Sequence, residues 1–220
     1  MISRKTSFLG NHQGFTLVEL MITLVMAGII VAAIYSAYII QQKTYYTQGQ
    51  VADMQQNIRA GLEVMTSEIQ MATYDPSSHK AGASITTANA TTFAFTSDLD
   101  GNGDVLGTDE NVTYGITGTE LMRTPLAGAP QAIAEGIAAI EFYYFLDDGV
   151  TQTLTPTPAQ LSKIQTVQVT LLAVASQKDI KYTNSTTYYT GSGAPWGPFG
   201  DNFRRRLLTA TVNLRNHGLH

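Results

Sequence analysis

Cysteine is absent from the 220-residue chain, which excludes disulfide bonds and thiolate metal sites. Charged residues make up only 14%, and the formal net charge of -4 includes no cationic block except Arg204–Arg206. Nonspecific nucleic-acid binding, which needs many contacts to phosphates, is therefore not favoured. The four histidines lack zinc-site spacing, and Gly191-Ser192-Gly193 does not match a nucleophile elbow. The sequence thus predicts a protein that is not an enzyme.

An apolar run near the N-terminus is the most prominent feature that the sequence does contain. At a rise of about 1.5 Å per residue, a helix over Phe15–Ile40 is about 39 Å long, which exceeds a hydrocarbon core of about 30 Å. Its only formal charge is Glu19, and Arg4 and Lys5 precede it. These cations predict that the leader lies in the cytoplasm and the rest of the chain beyond the membrane.

Three interpretations of this run compete. A secretory signal peptide with a cleavage site at Val31-Ala32-Ala33 is one, but the run continues to Ile40 and is too long for it. A plain single-pass anchor fits the length but leaves Glu19 without a role, although a carboxylate in lipid costs about 2.5–3.5 kcal/mol. The third interpretation accounts for the leader, the length and the carboxylate together.

The segment QGFTLVELM, with Gly14, Phe15, Thr16, Leu17, Glu19 and Leu20, resembles the processing signature of type IV prepilins and of type II secretion pseudopilins. This resemblance implies that prepilin peptidase cleaves after Gly14 and that Phe15 becomes the methylated N-terminus. It also implies that Glu19 pairs with an N-terminal amine, including that of a neighbouring subunit in a filament. A charge in lipid persists when it is paired or functional, which agrees with this role.

The apolar pattern continues beyond the membrane as one stripe of an amphipathic helix. The stripe comprises Val51, Met54, Ile58, Leu62, Met65, Ile69 and Ala72, and Asp75-Pro76 ends the helix. The segment from Gln41 to Pro76 resembles the corresponding stretch of PilW-type minor pilins. The residues that match the pattern of that family are Gln55, Asn57, Arg59, Leu62, Ile69, Met71 and Ala72. The C-terminal RRRLLTATVNLRN is similar to the last strand of that family.

After Pro76, short runs in which apolar and polar residues alternate predict strands, each with one buried face. The candidate strands are Ser84–Thr87, Thr91–Thr96, Val112–Ile116, Glu120–Arg123, Ile137–Leu146, Thr166–Ala175 and Leu207–Arg215. We therefore expect an α+β, type IV pilin-like fold, with a long N-terminal helix packed on an antiparallel sheet. The expected parts are a leader (1–14), a membrane or filament-core half-helix (15–40), an amphipathic half-helix (41–75) and a β-rich head (76–220).

The stretch DLDGNGDVLGTD follows the order of an EF-hand calcium loop. The predicted oxygen ligands are Asp98, Asp100, Asn102, the backbone of Asp104, and Asp109, which stands where a glutamate is usual. Glu110 follows one position later. No flanking helices are expected, and Asp/Asn/Gly clusters also form ordinary hairpin turns. A structural Ca²⁺ site and an empty turn are both open interpretations.

The resemblance implies a structural minor pilin that helps to initiate or assemble a type IV pilus. Its expected partners are prepilin peptidase, other minor pilins, the major pilin and, before assembly, inner-membrane lipid. The expected location is the bacterial inner membrane with the head outside the cytoplasm, and then the pilus at the cell surface. A J-type pseudopilin of type II secretion and a membrane-anchored extracytoplasmic calcium-binding domain are the alternatives.

Overall fold

The computed structural model describes residues 14–76 and 81–216, so the predicted leader lies outside the described residues except for Gly14. Helix α1 spans Leu17–Gln70. The strands that follow are β1 (Ile85–Ala88), β2 (Phe93–Thr96), β3 (Asn111–Thr117), β4 (Glu120–Pro125), β5 (Gln131–Glu135), β6 (Ile137–Leu146), β7 (Gln152–Thr153), β8 (Ile164–Val174), β9 (Tyr188–Tyr189), β10 (Pro195–Trp196) and β11 (Arg205–Asn213). A 3₁₀ helix, Pro158–Lys163, precedes β8.

The chain divides into two compact units, residues 1–46 and residues 47–220. In the first unit, nearly every described side chain is exposed, including large apolar residues from Phe15 to Tyr46. By length and composition, α1 is able to cross a membrane, and its most apolar window has a mean hydropathy of 2.6. The prediction of an apolar helix that could span a membrane is therefore confirmed in length and composition.

In the second unit, the predicted apolar stripe of α1 forms the centre of the core. Met54, Ile58, Leu62, Met65 and Ile69 are buried. They pack with aromatic residues of the strands, of which Phe93, Phe142 and Tyr144 form ring contacts at 5.8 Å. The helix ends at Gln70, slightly earlier than Asp75-Pro76 predicts. The chain then turns through Thr73, whose φ of 63° is left-handed and whose N–H donates to Thr96 O at 3.0 Å.

The strands form a five-stranded antiparallel sheet in the order β1-β2-β3-β4-β5, and a four-stranded one in the order β11-β8-β6-β7. Every candidate strand from the sequence has a counterpart, and the bounds of β6 agree fully. Strands β5, β7, β9 and β10 were not predicted. Strands β9 and β10 pair antiparallel as a small hairpin, in which Trp196 is half-buried. The α+β prediction is confirmed.

Candidate functional site

The start of α1 holds the predicted processing and assembly residues. Gly14 is exposed, and no heavy atom lies within 4 Å of the position that a Cβ on this residue would occupy. Phe15 is 84% exposed. The backbone on both sides of the Gly14–Phe15 bond is therefore open to approach in the described chain.

Glu19 is held by Thr16 in a reciprocal arrangement at the first turn of the helix. Thr16 donates both its backbone N–H and its hydroxyl to Glu19 Oε2, each at 2.9 Å, while Glu19 N–H donates to Thr16 Oγ1 at 3.2 Å. This is a capping box, which satisfies donors that the first turn of a helix leaves unpaired. The order Thr-x-x-Glu is the sequence signal for this capping box, and here it overlaps the processing motif to which Thr16 also belongs.

The acidic loop between β2 and β3 brings three carboxylates together. Oxygen atoms of Asp98, Asp100 and Glu110 lie within 4.8 Å of one another. Asp98 and Glu110 are buried, whereas Asp100 is exposed. Glu110 Oε1 accepts the N–H groups of Leu99 and Asp100 at 2.9 and 3.2 Å, so it fixes the start of the loop. Three converging hard oxygen groups are the kind of ligand that Ca²⁺ takes.

Of the other predicted ligands, Asn102 and Asp104 lie in successive tight turns of this loop. Asn102 Oδ1 accepts Asp104 N–H at 2.8 Å, and Asp104 Oδ1 accepts Leu106 N–H at 2.9 Å. Gly103 has a φ of 87°, which suits the sharp turn expected at the sixth position of the motif. Asn102 Nδ2–H also donates to Asp100 Oδ2 at 3.2 Å, so the Asn102 side chain lies beside the exposed carboxylate of the group, whereas the Asp104 carboxylate is not part of that group.

Asp109, the predicted twelfth-position ligand, instead forms an ion pair with Arg123 of β4. Its Oδ1 accepts Arg123 Nη2–H at 2.9 Å. The next residue, Glu110, is turned inward to Asp98 and Asp100. The EF-hand order predicts Asp109 as the ligand, and Glu110 lies one position beyond it. Only the partner strand decides between these adjacent acids, because β4 places a buried guanidinium beside one of them.

The same guanidinium connects the acidic loop to α1. Arg123 Nε–H donates to Glu68, and the Tyr114 hydroxyl donates to Glu68 Oε2 at 2.5 Å. Burial raises the pKa of Tyr114, and its bond to Glu68 raises it further. Burial lowers the pKa of Arg123, but its bonds to Glu68 and Asp109 outweigh that effect and the pKa is raised. The network therefore holds Arg123 charged between helix and loop.

Comparisons with known proteins agree with this architecture. A family model described as type IV pilus-assembly protein W matches residues 107–216, and one for the prokaryotic N-terminal methylation motif matches residues 9–35. A search of curated proteins found no significant match. A type IV-like pilin from Thermus thermophilus has a similar structure, with a TM-score of 0.50 and 13% identity over 74% of this chain and 97% of that one. Family and fold are those of structural pilins rather than enzymes.

Proposed function

Because the chain belongs to the type IV pilus-assembly protein W family, we propose that it is a minor pilin that helps to initiate or assemble a type IV pilus. The observation that carries this proposal is Glu19, the one formal charge in the apolar run Phe15–Ile40. Such a carboxylate is costly in lipid unless a partner neutralises it. A subunit that enters a filament by its helix supplies that partner.

Before cleavage, the Phe15 nitrogen is a peptide nitrogen, and Glu19 accepts hydrogen bonds from Thr16 alone among the described residues. Cleavage after Gly14 by prepilin peptidase would turn Phe15 into a cationic amine close to this carboxylate. In an assembled filament, the amine of a neighbouring subunit would pair with Glu19. The hydrogen bonds from Thr16 keep the carboxylate oriented at the helix start until that pairing occurs.

The remaining partners follow from this role. The exposed apolar half of α1 would lie in the inner membrane with the head outside the cytoplasm, and it would later pack among the helices of other minor pilins and the major pilin. The final location is the pilus at the cell surface. The processing motif is also shared with pseudopilins, so a J-type pseudopilin of type II secretion is the second candidate.

We also propose that the acidic loop binds Ca²⁺, which is supported by the convergence of Asp98, Asp100 and Glu110. In this proposal Ca²⁺ stiffens the loop between β2 and β3 and has no catalytic role. Glu110 replaces Asp109 as the distal carboxylate, since Asp109 is engaged by Arg123. Weak extracellular calcium modules bind Ca²⁺ with dissociation constants of about 0.1–1 mM. An affinity in this range suits a loop in which Asp98 and Glu110 are buried and Asp100 is exposed.

The decisive experiment is to measure the mass of the N-terminal peptide of the protein from its native host and to test sheared filaments for the protein. An N-methylated peptide that starts at Phe15, together with recovery in the filament fraction, supports the proposal. A chain that retains Gly14, or that starts at Ile34 after signal-peptide cleavage, contradicts it. Recovery with secretion-system pseudopilins instead of pilins would favour the second candidate.

A further inference from the structure

Strand β11 has a long free edge on the four-stranded sheet. It pairs with β8 on one side, in a register without a shift from Arg205↔Val174 to Asn213↔Thr166, and it is the outer strand of the sheet. Unpaired strand edges present rows of N–H and C=O groups, which are templates for pairing with another chain. The edge of β11 is therefore a candidate surface for a partner strand.

The backbone hydrogen bonds at the two ends of β11 show which of its residues direct their N–H and C=O groups away from β8. Ala175 N–H donates to Arg204 O at 2.9 Å, and Leu214 N–H donates to Gln165 O at 3.0 Å. Bonded pairs alternate along an antiparallel ladder, so the even-numbered residues of β11 bond to β8. The backbone groups that point away from the sheet belong to Leu207, Thr209, Thr211 and Asn213. No backbone partner for these groups is found among residues 14–76 and 81–216.

The other edges of the five-stranded and four-stranded sheets lack such a surface. Strand β1 has only four residues and a register shift, and β7 has two residues. Strand β5 also contains an irregularity in its pairing, and its Glu135 carbonyl accepts Asn57 Nδ2–H from α1 at 2.7 Å. Short strands, bulges and covered edges discourage pairing between chains. In β11, by contrast, Leu207–Asn213 contains neither a charge nor a proline.

The charges at the two ends of β11 indicate what kind of strand fits. Arg204 and Arg205 are paired with Asp179 and Asp201, whereas the exposed Arg206 and Arg215 form no ion pair within the described ranges. No acidic residue lies between Asp201 and Asn216. The free edge is thus uncharged in its middle and cationic at both ends.

A second copy of the chain fits this edge poorly. Antiparallel self-pairing would bring the Arg206 end of each copy towards Arg215 of the other, and parallel self-pairing would place Arg206 beside Arg206. Like charges near each other across a strand pair are destabilising. A strand with an uncharged middle and an acidic residue towards each end would meet both cations and would satisfy the outward backbone groups.

We propose that the outer edge of β11 adds a strand from another protein of the assembly, with an uncharged centre and acidic flanks. The binding mode is β-augmentation, in which backbone hydrogen bonds supply affinity and side chains supply specificity. That the partner belongs to the assembly rests on the proposed function, whereas the free edge and its charges do not. The contact would orient the head against its neighbour.

The test uses the full-length protein in its native host, with Thr211→Pro and Thr211→Val as a matched pair. Both remove the bond from Gln168 Nε2–H to Thr211 Oγ1 (3.3 Å), but only proline removes the outward N–H. We expect both variants to be cleaved after Gly14. Recovery of Thr211→Pro with sheared filaments should fall about tenfold, while Thr211→Val is recovered like wild type. Equal recovery of both variants overturns the proposal.

The melting temperature in detergent shows whether Thr211→Pro is folded. If Thr211→Pro is not folded, a second pair of variants tests the proposal. Since the chain has no cysteine, Thr211→Cys and Gln152→Cys place single thiols on the two opposite edges of this sheet. In native membranes, maleimide labelling should be blocked at position 211 and retained at 152, whereas both should be labelled in the detergent-purified chain. Equal labelling in membranes overturns the proposal.

Two further outcomes are informative. If the detergent-purified chain forms a dimer that Thr211→Pro abolishes, a second copy occupies the edge and the acidic-partner proposal is wrong. If the wild-type protein is absent from filaments, the proposed function fails. The thiol-labelling pair then still decides whether the β11 edge is covered in the membrane.

Discussion

Arg123 of β4 donates its Nε hydrogen to both carboxylate oxygens of Glu68 on α1, at 3.0 and 2.9 Å. The Arg123 side chain is 7% exposed and that of Glu68 is 31% exposed. This contact joins the helix to the five-stranded sheet at the point where the acidic loop returns to the core. Together with the bond from Asn57 Nδ2–H to the Glu135 carbonyl, it therefore adds a polar connection to the apolar packing between the helix and the strands of the second unit.

Arg123→Met should lower the stability of the folded chain by about 2–3 kcal/mol, because it leaves the partly buried carboxylate of Glu68 without its cation, whereas the loss at the exposed Asp109 contributes little. This corresponds to a fall in melting temperature of roughly 5–10 °C, measured by thermal unfolding in detergent. Arg59→Met, at an exposed position of α1, is the control and should have little effect. Similar melting temperatures for wild type and Arg123→Met would show that the connection is dispensable.

Gly61→Ala and Gly49→Ala should have opposite effects, although both replace glycine in the same helix. A Cβ on Gly61 would lie 2.6 Å from Ala134 Cβ, so α1 must move away from β5. No heavy atom lies within 4 Å of a Cβ on Gly49. We expect a loss of about 1–3 kcal/mol at position 61 and a gain of up to about 1 kcal/mol at position 49. Thermal unfolding measures both, and stabilisation at position 61 would contradict the close packing.

Glu19→Ala and Glu19→Gln separate the capping role of this residue from its charge. Glutamine can still accept hydrogen bonds from Thr16, but it cannot pair with an amine as a carboxylate does. We expect both variants to be cleaved after Gly14 and both to be incorporated poorly into filaments, as measured by immunoblots of sheared material. Normal incorporation of Glu19→Gln would mean that helix capping, and not charge pairing, is what assembly requires.

If the acidic loop binds Ca²⁺ as proposed, substitutions of the adjacent residues Asp109 and Glu110 should differ in their effect on calcium-dependent stability. Millimolar Ca²⁺ should raise the melting temperature of the wild-type chain, and Asp100→Ala or Glu110→Gln should abolish that rise. Asp109→Asn should retain it, because Asp109 is turned towards Arg123. Isothermal titration with CaCl₂ provides the matching affinity. If wild type shows no rise, or if Asp109→Asn also loses it, the proposed ligand set is wrong.

The loop that carries Trp196 should respond to acid through Asp179 and Asp201. Hydrogen bonds from Arg204 and Arg205, respectively, lower the pKa of these carboxyls from the ordinary value of an aspartate. Their stabilising contribution is therefore complete above the unfolded pKa of about 3.9 and is lost as the pH falls through the lower folded values. Because Trp196 is the only tryptophan, its fluorescence should stay constant from about pH 7 to 5 and change in more acidic solution.

Asp201→Asn should already show the altered Trp196 signal at neutral pH, since the amide cannot form the ion pair with Arg205. Asp148→Asn is the matched control, because the pKa of Asp148 is also lowered, here by Thr151 and away from this loop. An unchanged signal in Asp201→Asn would show that the ion pair does not hold the loop.

Periodicity predicted the large elements well because the patterns are repeated many times within each of them. The stripe from Val51 to Ala72 specified which face of α1 is buried, and alternation located the long strands. The short strands β7, β9 and β10 escaped prediction because two residues contain no measurable alternation. Strand β5 escaped because its QAIAE sequence has only Ile133 and small residues to indicate a buried face.

The sequence by itself determined where the N-terminal methylation motif lies. Gly14 and Phe15 precede the helix and Glu19 lies in its first turn, so their spacing along the chain is enough to propose the site, and the capping partner of Glu19 three residues away is as visible in sequence as in structure. Only the tertiary structure decided which acids of the loop converge, because a buried arginine on β4 draws Asp109 away from Glu110. It also decided that β11 has a free edge, since the neighbours of a strand are chosen by the fold of the whole sheet and not by the strand's own residues.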